Sequence, residues 1–134
     1  MSARDVLKQI KSKNVEYVDL RFTDPRGKLQ HLTMDKTIVD EGMLNDGVFF
    51  DGSSIAGWKA INESDMILKP DLSRTVMDPY TSHNTMILFC DILDAVKKDP
   101  YERDPRGIAK KAEAYLKKTG IGDKAYFGPE PEFF

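Results

Sequence analysis

Residues 15–34 read VEYVDLRFTDPRGKLQHLTM, and their period of two sets the fold class. Val18, Leu20 and Phe22 share one face of an extended chain, and Asp19 and Arg21 share the other. Asp24-Pro25-Arg26-Gly27 then supplies a turn, with Pro presetting φ and Gly accepting a positive φ. Lys28 to Met34 reads as the return strand of a hairpin. Upstream, Ser2 can cap a helix running to about Lys13, because Val6, Leu7 and Ile10 recur at helical spacing. Asn14 is its stop. Downstream, Asp35 or Thr37 can cap a short helix through Ile38, Val39 and Met43. Strand and helix patterns thus sit side by side, which is an α+β arrangement.

The rest of the chain follows the same logic. Asn45 to Gly57 mixes Gly47, Gly52 and Gly57 with Phe49, Phe50, Ile55 and Trp58, the pattern of a structured loop packed by its aromatics. Such loops tend to carry function. Met66 to Leu68 is a short strand stopped by Pro70. Thr85 to Leu93 contains the apolar run Met86-Ile87-Leu88-Phe89-Cys90, which reads as a strand buried on both faces. Asp99-Pro100 marks a boundary near residue 100. Asp104 and Pro105 suit the N-cap and first position of a helix whose apolar face is Ile108, Ala109, Ala112, Tyr115 and Leu116. Gly120 closes that helix. Ala125, Phe127 and residues 130–134 suggest one more strand. Two bare phenylalanines in an unfinished strand either pack on earlier elements or await elements further along, and termini are usually polar. The second expectation, a fragment of a longer protein, is preferred.

Composition narrows the function classes. The chain has 134 residues, 40% of them hydrophobic, with 20 basic and 22 acidic side chains. That balance lacks the basic stripe of a nucleic-acid binder. No apolar run nears the ~20 residues of a membrane span, and the start does not read as a signal peptide. Cys90 is the one cysteine, so an intrachain disulfide and a CxxC metal site are excluded. A soluble cytoplasmic protein is expected.

Several residues could carry chemistry. Glu130 and Glu132 stand two apart, so on a strand both carboxylates would project from one face, with Cα atoms roughly 6.5–7 Å apart. They could hold a hard divalent cation, since Mg²⁺ takes carboxylate and phosphate oxygens. From spacing alone a solvated acidic edge is the plainer reading, and two ligands make no complete site. Asp51 could accept a proton, bind a cation, or form an Asx-turn with its own backbone. Trp58 reads first as a packing residue. Residues 52–57 are not a P-loop, because the GK[ST] ending is missing. His31 and His83 lack metal-ligand spacing. Arg103 and Arg106 read as surface charge, and Cys90 as a small core residue.

Longer strings are more specific. Asp51-Gly52-Ser53-Ser54-Ile55, Gly57-Trp58, Ile61-Asn62-Glu63-Ser64-Asp65-Met66 and Pro70-Asp71 resemble the N-terminal signature of the bacterial type I glutamine synthetase family. Tyr101-Glu102-Arg103-Asp104-Pro105-Arg106 and the block from Phe127 to Phe134 resemble the family's next signature blocks. Ala56 sits where other residues also occur. The resemblance covers essentially the whole chain.

It implies a β-grasp N-terminal domain over residues 1–100, then the beginning of a glutamine synthetase catalytic domain over 101–134. It implies ligation of ammonia to glutamate, with ATP as the phosphoryl donor and γ-glutamyl phosphate as intermediate, in nitrogen metabolism. Two Mg²⁺ or Mn²⁺ ions would serve each complete site. By resemblance Glu130 and Glu132 are metal ligands, one contributing to each ion. Asp51 binds ammonium and takes its proton, and Ser54 lines the same site. Trp58 lies in the same loop, near the neighbouring subunit's site, and counts with the substrate-binding residues. The loop's aromatics would then pack at a subunit interface. The implied assembly is a homo-oligomer, a dodecamer of two hexameric rings, with no nucleic-acid or membrane partner. The family's remaining metal, nucleotide and glutamate ligands lie beyond residue 134, so the fragment alone is expected to be inactive. The competing reading is a non-catalytic β-grasp interaction module.

Overall fold

The computed structural model describes residues 1–58 and 64–132. The motif residues Ile61, Asn62 and Glu63 and the terminal Phe133 and Phe134 lie outside the described residues. The first helix, α1, spans Ala3–Ser12. Ser2 caps it reciprocally: its hydroxyl accepts the Asp5 N–H, and the Asp5 carboxylate accepts the Ser2 N–H. Ala3, Val6 and Ile10 form its buried stripe.

The hairpin expected from residues 15–34 is present as β1 (Tyr17–Thr23) and β2 (Leu29–Asp35), antiparallel, with Leu20 opposite Leu32. Its turn is organised by Asp24, whose carboxylate accepts the N–H groups of Arg26 and Lys28, both at 2.9 Å. The single short helix expected after it is two elements. Asp35 caps a 3₁₀ turn at Lys36–Ile38, the chain extends again at Val39, and Asp40 caps a separate helix α2 (Glu41–Asp46). Two acidic caps five residues apart each start their own turn, so one helix cannot run through both.

Four more strands follow: β3 (Val48–Asp51), β4 (Asp65–Pro70), β5 (Val76–Met77) and β6 (Thr85–Asp94). The sheet order is β2-β1-β6-β4-β3, with β5 also paired to β6. β6 is the axis. Its first half runs parallel to β1, with Val18 beside Met86 and Leu20 beside Leu88. Its second half runs antiparallel to β4, with Leu68 beside Ile92. Met86, Leu88, Cys90 and Ile92 project into the core with Val18, Leu20, Met66 and Leu68, beneath Val6 and Ile10 of α1. Burial raises the Cys90 thiol pKa, as befits a small core residue.

The expectation that β6 is buried on both faces holds only for Thr85 to Leu88. Beyond it the strand alternates, and Phe89 is exposed. Ile87 and Phe89 belong to the second face, which is polar on the neighbouring strand: Asp19 and Arg21 lie beside them in register. Asp19 is only 3% exposed. Its carboxylate accepts Arg21 Nε at 2.7 Å and Thr33 Oγ1 at 2.8 Å, and His31 Nδ1 lies at 2.9 Å. Arg21 continues to Asp78. Burial pushes the Asp19 carboxyl pKa up, but the bonds from His31, Arg21 and Thr33 together outweigh it and hold it below the usual value.

That depression has a pH consequence. A carboxyl lowered in the folded state contributes stability fully above its unfolded value, about 3.9, and loses it as pH falls through the folded value. Asp19→Asn is therefore expected to lose less stability than the parent chain between pH 6 and pH 3. Urea melts at the two pH values measure this, and an acid dependence equal to the parent's would remove Asp19 from the acid transition.

Helix α3 (Pro105–Thr119) starts and stops as expected, with Asp104 as N-cap, Pro105 in the first turn and Gly120 as its left-handed cap. Its apolar face differs from expectation. No residue of α3 is buried, and Ile108 and Tyr115 are exposed. The strand expected near the end is not formed, because 121–132 pairs with none of the described strands, and a lone extended segment has no ladder to join.

Candidate functional site

The site is built on the loop that joins β3 to β4. Asp51 ends β3, opposite Asp65 of β4. Its carboxylate turns back to cap the 3₁₀ turn Gly52–Ser54, accepting the Ser53 N–H at 2.9 Å and the Ser53 hydroxyl at 2.7 Å. This is the Asx-turn geometry allowed by the sequence. The Ser53 hydroxyl bond, then the Ser53 N–H, lower the Asp51 pKa below the carboxylate norm. Asp51 is nevertheless exposed, and so is Ser54. The side chain is thus an anion held in one orientation with its charge still open to solvent.

Gly52 makes the tight turn possible. Its N–H donates to the Ser64 carbonyl at 2.7 Å. A Cβ there would stand 2.3 Å from Met66 Sδ and 2.9 Å from that carbonyl. The loop therefore lies directly on β4. Asp51 and Ser54 line a shallow cleft of about 220 Å³ with Phe22, Phe50, Ile55 and the end of β2 at Gln30, His31 and Leu32.

The loop's large residues pack inside this chain, contrary to the expectation of a subunit interface. Ile55 and Trp58 are buried, and Phe50 packs against the core. The Trp58 ring stacks on Phe22 at 5.7 Å and meets Phe50 and Tyr101 edge-on. Among the large residues named here, Phe49 turns outward. The reason is proximity: the sheet brings Phe22 of β1 and Tyr101 against the loop, so the rings find apolar partners at home. Trp58 is accordingly a buried packing residue in this chain, and its ring does not line the Asp51 cleft. Its indole Nε1 is buried without a hydrogen-bond partner among the described residues.

Glu130 and Glu132 are exposed in an extended segment that is not a strand. The shared strand face expected from their spacing therefore does not form in this chain. Neither residue lines the Asp51 cleft, and no cluster of three or more metal-binding side chains occurs among the described residues. The donors are hard carboxylate oxygens, which suit Mg²⁺ or Mn²⁺, but two of them fill only part of a coordination shell.

His31 and His83 have the modest roles their isolation implies. His31 contacts Asp19, and His83 lies 3.2 Å from Glu16. The arginines lie at the surface as read, but with partners the sequence did not show. Arg106 is paired with Asp91 and Asp71. Arg103 donates to the carbonyls of Gly57 at 2.9 Å and Trp58 at 3.4 Å. Between them Asp104 is 1% exposed and accepts the Ile92 N–H of β6 at 3.2 Å. Sequence reasoning could not see this rivet, because its partners lie 12 to 46 residues away. The available signal was the Asp-Pro helix start flanked by two arginines.

Comparison with known proteins fits this geometry. The family model described as the glutamine synthetase beta-Grasp domain matches residues 14–95, and the glutamine synthetase catalytic domain model matches residues 102–134. Glutamine synthetase of Rhizobium meliloti strain 1021 is 65% identical over 133 residues, covering 99% of this chain and 28% of that protein. Glutamine synthetase of Methylococcus capsulatus strain Bath is 60% identical over 134 residues, covering all of this chain and 29% of that protein. The solved Plasmodium falciparum glutamine synthetase superposes with a TM-score of 0.80 at 25% identity, over 90% of this chain and 23% of that one. The chain thus spans less than a third of the length of these curated relatives. With a β-grasp sheet matched over most of its length and bacterial relatives matched from end to end, this chain belongs to the glutamine synthetase family.

Proposed function

We propose that this chain is the N-terminal part of a glutamine synthetase, which joins ammonia to glutamate with hydrolysis of ATP. Residues 1–100 form its β-grasp domain, and residues 101–134 open its catalytic domain. The observation that carries the reading is Asp51: an exposed carboxylate, kept anionic by Ser53, beside Ser54 in an open cleft. In the reaction the glutamate γ-carboxylate takes the γ-phosphoryl group of ATP and releases ADP. Ammonia then attacks the acyl carbon, and phosphate leaves. Ammonium has no lone pair, so it must lose a proton before it can attack.

Asp51 answers both halves of that need. Its negative charge attracts ammonium, and a carboxylate oxygen has lone pairs to accept a hydrogen bond from it. A carboxylate held low is a weak base, so its main contribution is to bind the cation. It takes one proton from the bound ammonium to free the lone pair, the ammonia so formed is consumed at once by C–N bond formation, and the nitrogen sheds a second proton to solvent after the bond has formed. Ser54 supplies a hydroxyl that can donate or accept beside it. Trp58 acts on this site through the packing of the loop, not by touching substrate.

Glu130 and Glu132 would hold Mg²⁺ or Mn²⁺ together with ligands from beyond residue 134. Such ions neutralise phosphate charge during phosphoryl transfer. With two carboxylates and no nucleotide ligands, the 134 residues alone would bind metal weakly and make no glutamine. The working form is a cytoplasmic homo-oligomer, a dodecamer of two hexameric rings, in which the Asp51 loop of one subunit completes the metal site of its neighbour.

Subunit sharing is directly testable. Full-length chains carrying Asp51→Ala and chains carrying Glu132→Ala should each be inactive. In a random one-to-one mixed oligomer, about a quarter of the sites would combine an intact loop with intact metal ligands. Activity near that fraction of wild type is expected. Mixed oligomers that assemble and stay silent would place the whole site within one subunit.

A further inference from the structure

We propose that Arg103 is a positioning residue for ammonium, acting through the loop that carries Asp51; this rests on the role of Asp51 proposed above. The loop is held at its entry by the strand pairing of Asp51, by the capped turn, and by the Gly52 N–H on Ser64. Beyond the turn, Gly57 and Trp58, the exit of the described part of the loop, belong to no strand among the described residues. There the Arg103 guanidinium donates to two successive carbonyls, those of Gly57 and Trp58. Both bonds leave one nitrogen, Nη1, whose N–H groups are held in the plane of a permanently charged guanidinium.

A clamp fixes a loop only if its own base is fixed. On one side of Arg103, the Tyr101 N–H donates to the Ile92 carbonyl of β6 at 2.8 Å, and the Tyr101 ring meets Trp58 edge-on. On the other side, buried Asp104 accepts the Ile92 N–H. Both neighbours are therefore anchored to one residue of the central strand. Arg103 projects from that base, reaches 46 residues back, and ties the loop exit to it. Among the described residues its guanidinium bonds to the loop carbonyls and lines no part of the Asp51 cleft, so its effect on substrate is indirect. Releasing it frees the exit of a short turn whose entry carries Asp51 and Ser54. The orientation of the Asp51 carboxylate, and with it ammonium binding, should loosen first. ATP binding, which Asp51 does not serve, should not.

The test uses the full-length oligomer with Arg103→Ala, Arg103→Lys and, as a reference, Asp51→Ala. Steady-state kinetics are measured separately for ammonium and ATP, with oligomer size checked for each variant. Arg103→Ala is expected to raise the ammonium KM roughly tenfold, the scale of losing one hydrogen bond to a charged group. The ATP KM should stay within about twofold, because only the ammonium loop is released. Arg103→Lys keeps the charge and three donors on one nitrogen, but on a more flexible stem, and should recover part of the loss. If Asp51→Ala impairs ammonium kinetics and Arg103→Ala does not, the positioning role is wrong while the reading of Asp51 stands. If ammonium, ATP and kcat all worsen together, with Lys no better than Ala, Arg103 is merely structural. If Asp51→Ala itself leaves ammonium kinetics unchanged, both ideas fall.

Discussion

Asp51→Ala in the full-length enzyme is expected to remove most glutamine formation while leaving ATP binding intact. The loss should be on the order of 10²–10⁴-fold, the usual range for a positioned proton acceptor. The reason is local. Asp51 is an exposed anion fixed by Ser53, and in the function proposed above it serves the half-reaction in which ammonium is captured and deprotonated. Ammonium saturation curves of the mutant should show a raised KM, a lowered kcat, or both. Asp51→Asn sharpens the result. Asn can still accept the Ser53 bonds through its amide oxygen, so the turn survives, but the charge is gone. If Asn rescues activity, the Asp51 side chain matters for the turn and not for ammonium. Ammonium kinetics unchanged in both variants would remove Asp51 from the site.

The largest expected loss of stability is at Gly47, which ends α2 and feeds the chain into β3. Its backbone stands at φ 89 and ψ −173, a region open essentially to glycine alone. A Cβ there would also lie 2.5 Å from the Leu68 carbonyl and 2.6 Å from an Ile67 methyl. Backbone strain of about 1–3 kcal/mol and overpacking of about 1–3 kcal/mol act together, so Gly47→Ala should cost roughly 3–5 kcal/mol. Gly57 is the natural control. It too has a positive φ, 90°, but its Cβ would meet nothing within 4 Å. Gly57→Ala should therefore cost only the backbone part, about 1–2 kcal/mol. Urea denaturation of both variants beside the parent chain measures the difference. Equal costs would show that β4 yields to the added methyl group, and that the close approach at Gly47 does not constrain β3.

The elements legible in the sequence are those specified by near neighbours. The β1–β2 hairpin follows from alternation on either side of a turn whose Asp24 and Gly27 act within four residues. Helix α1 follows from the Ser2–Asp5 capping box, and α3 from Asp104, Pro105 and Gly120. The Asp51 turn was equally local, since its partner Ser53 is two residues away. Misreadings arose where local signals were incomplete or competed. The helix expected after Asp35 overlooked the second cap at Asp40. A strand at 125–134 was expected from alternation alone, but a strand also needs a neighbour.

Long strings of residues were enough to identify the family. They could not say which partner each residue takes. Asp19 reads as the solvent side of a strand, yet the sheet buries it among Arg21, His31 and Thr33. Trp58 reads first as a packing residue, and the family resemblance implies a subunit interface for the loop's aromatics, but only the sheet shows that Phe22 and Tyr101 are among the rings that pack on Trp58 and Phe50 within this chain. Arg103 reads as loose charge, yet it closes the loop that carries Asp51. The difference has one physical cause. Caps, turns and strand alternation are decided by bonds spanning a few residues, whereas burial and long-range pairing exist only once β6 has brought β1, β4 and the 101–106 segment together.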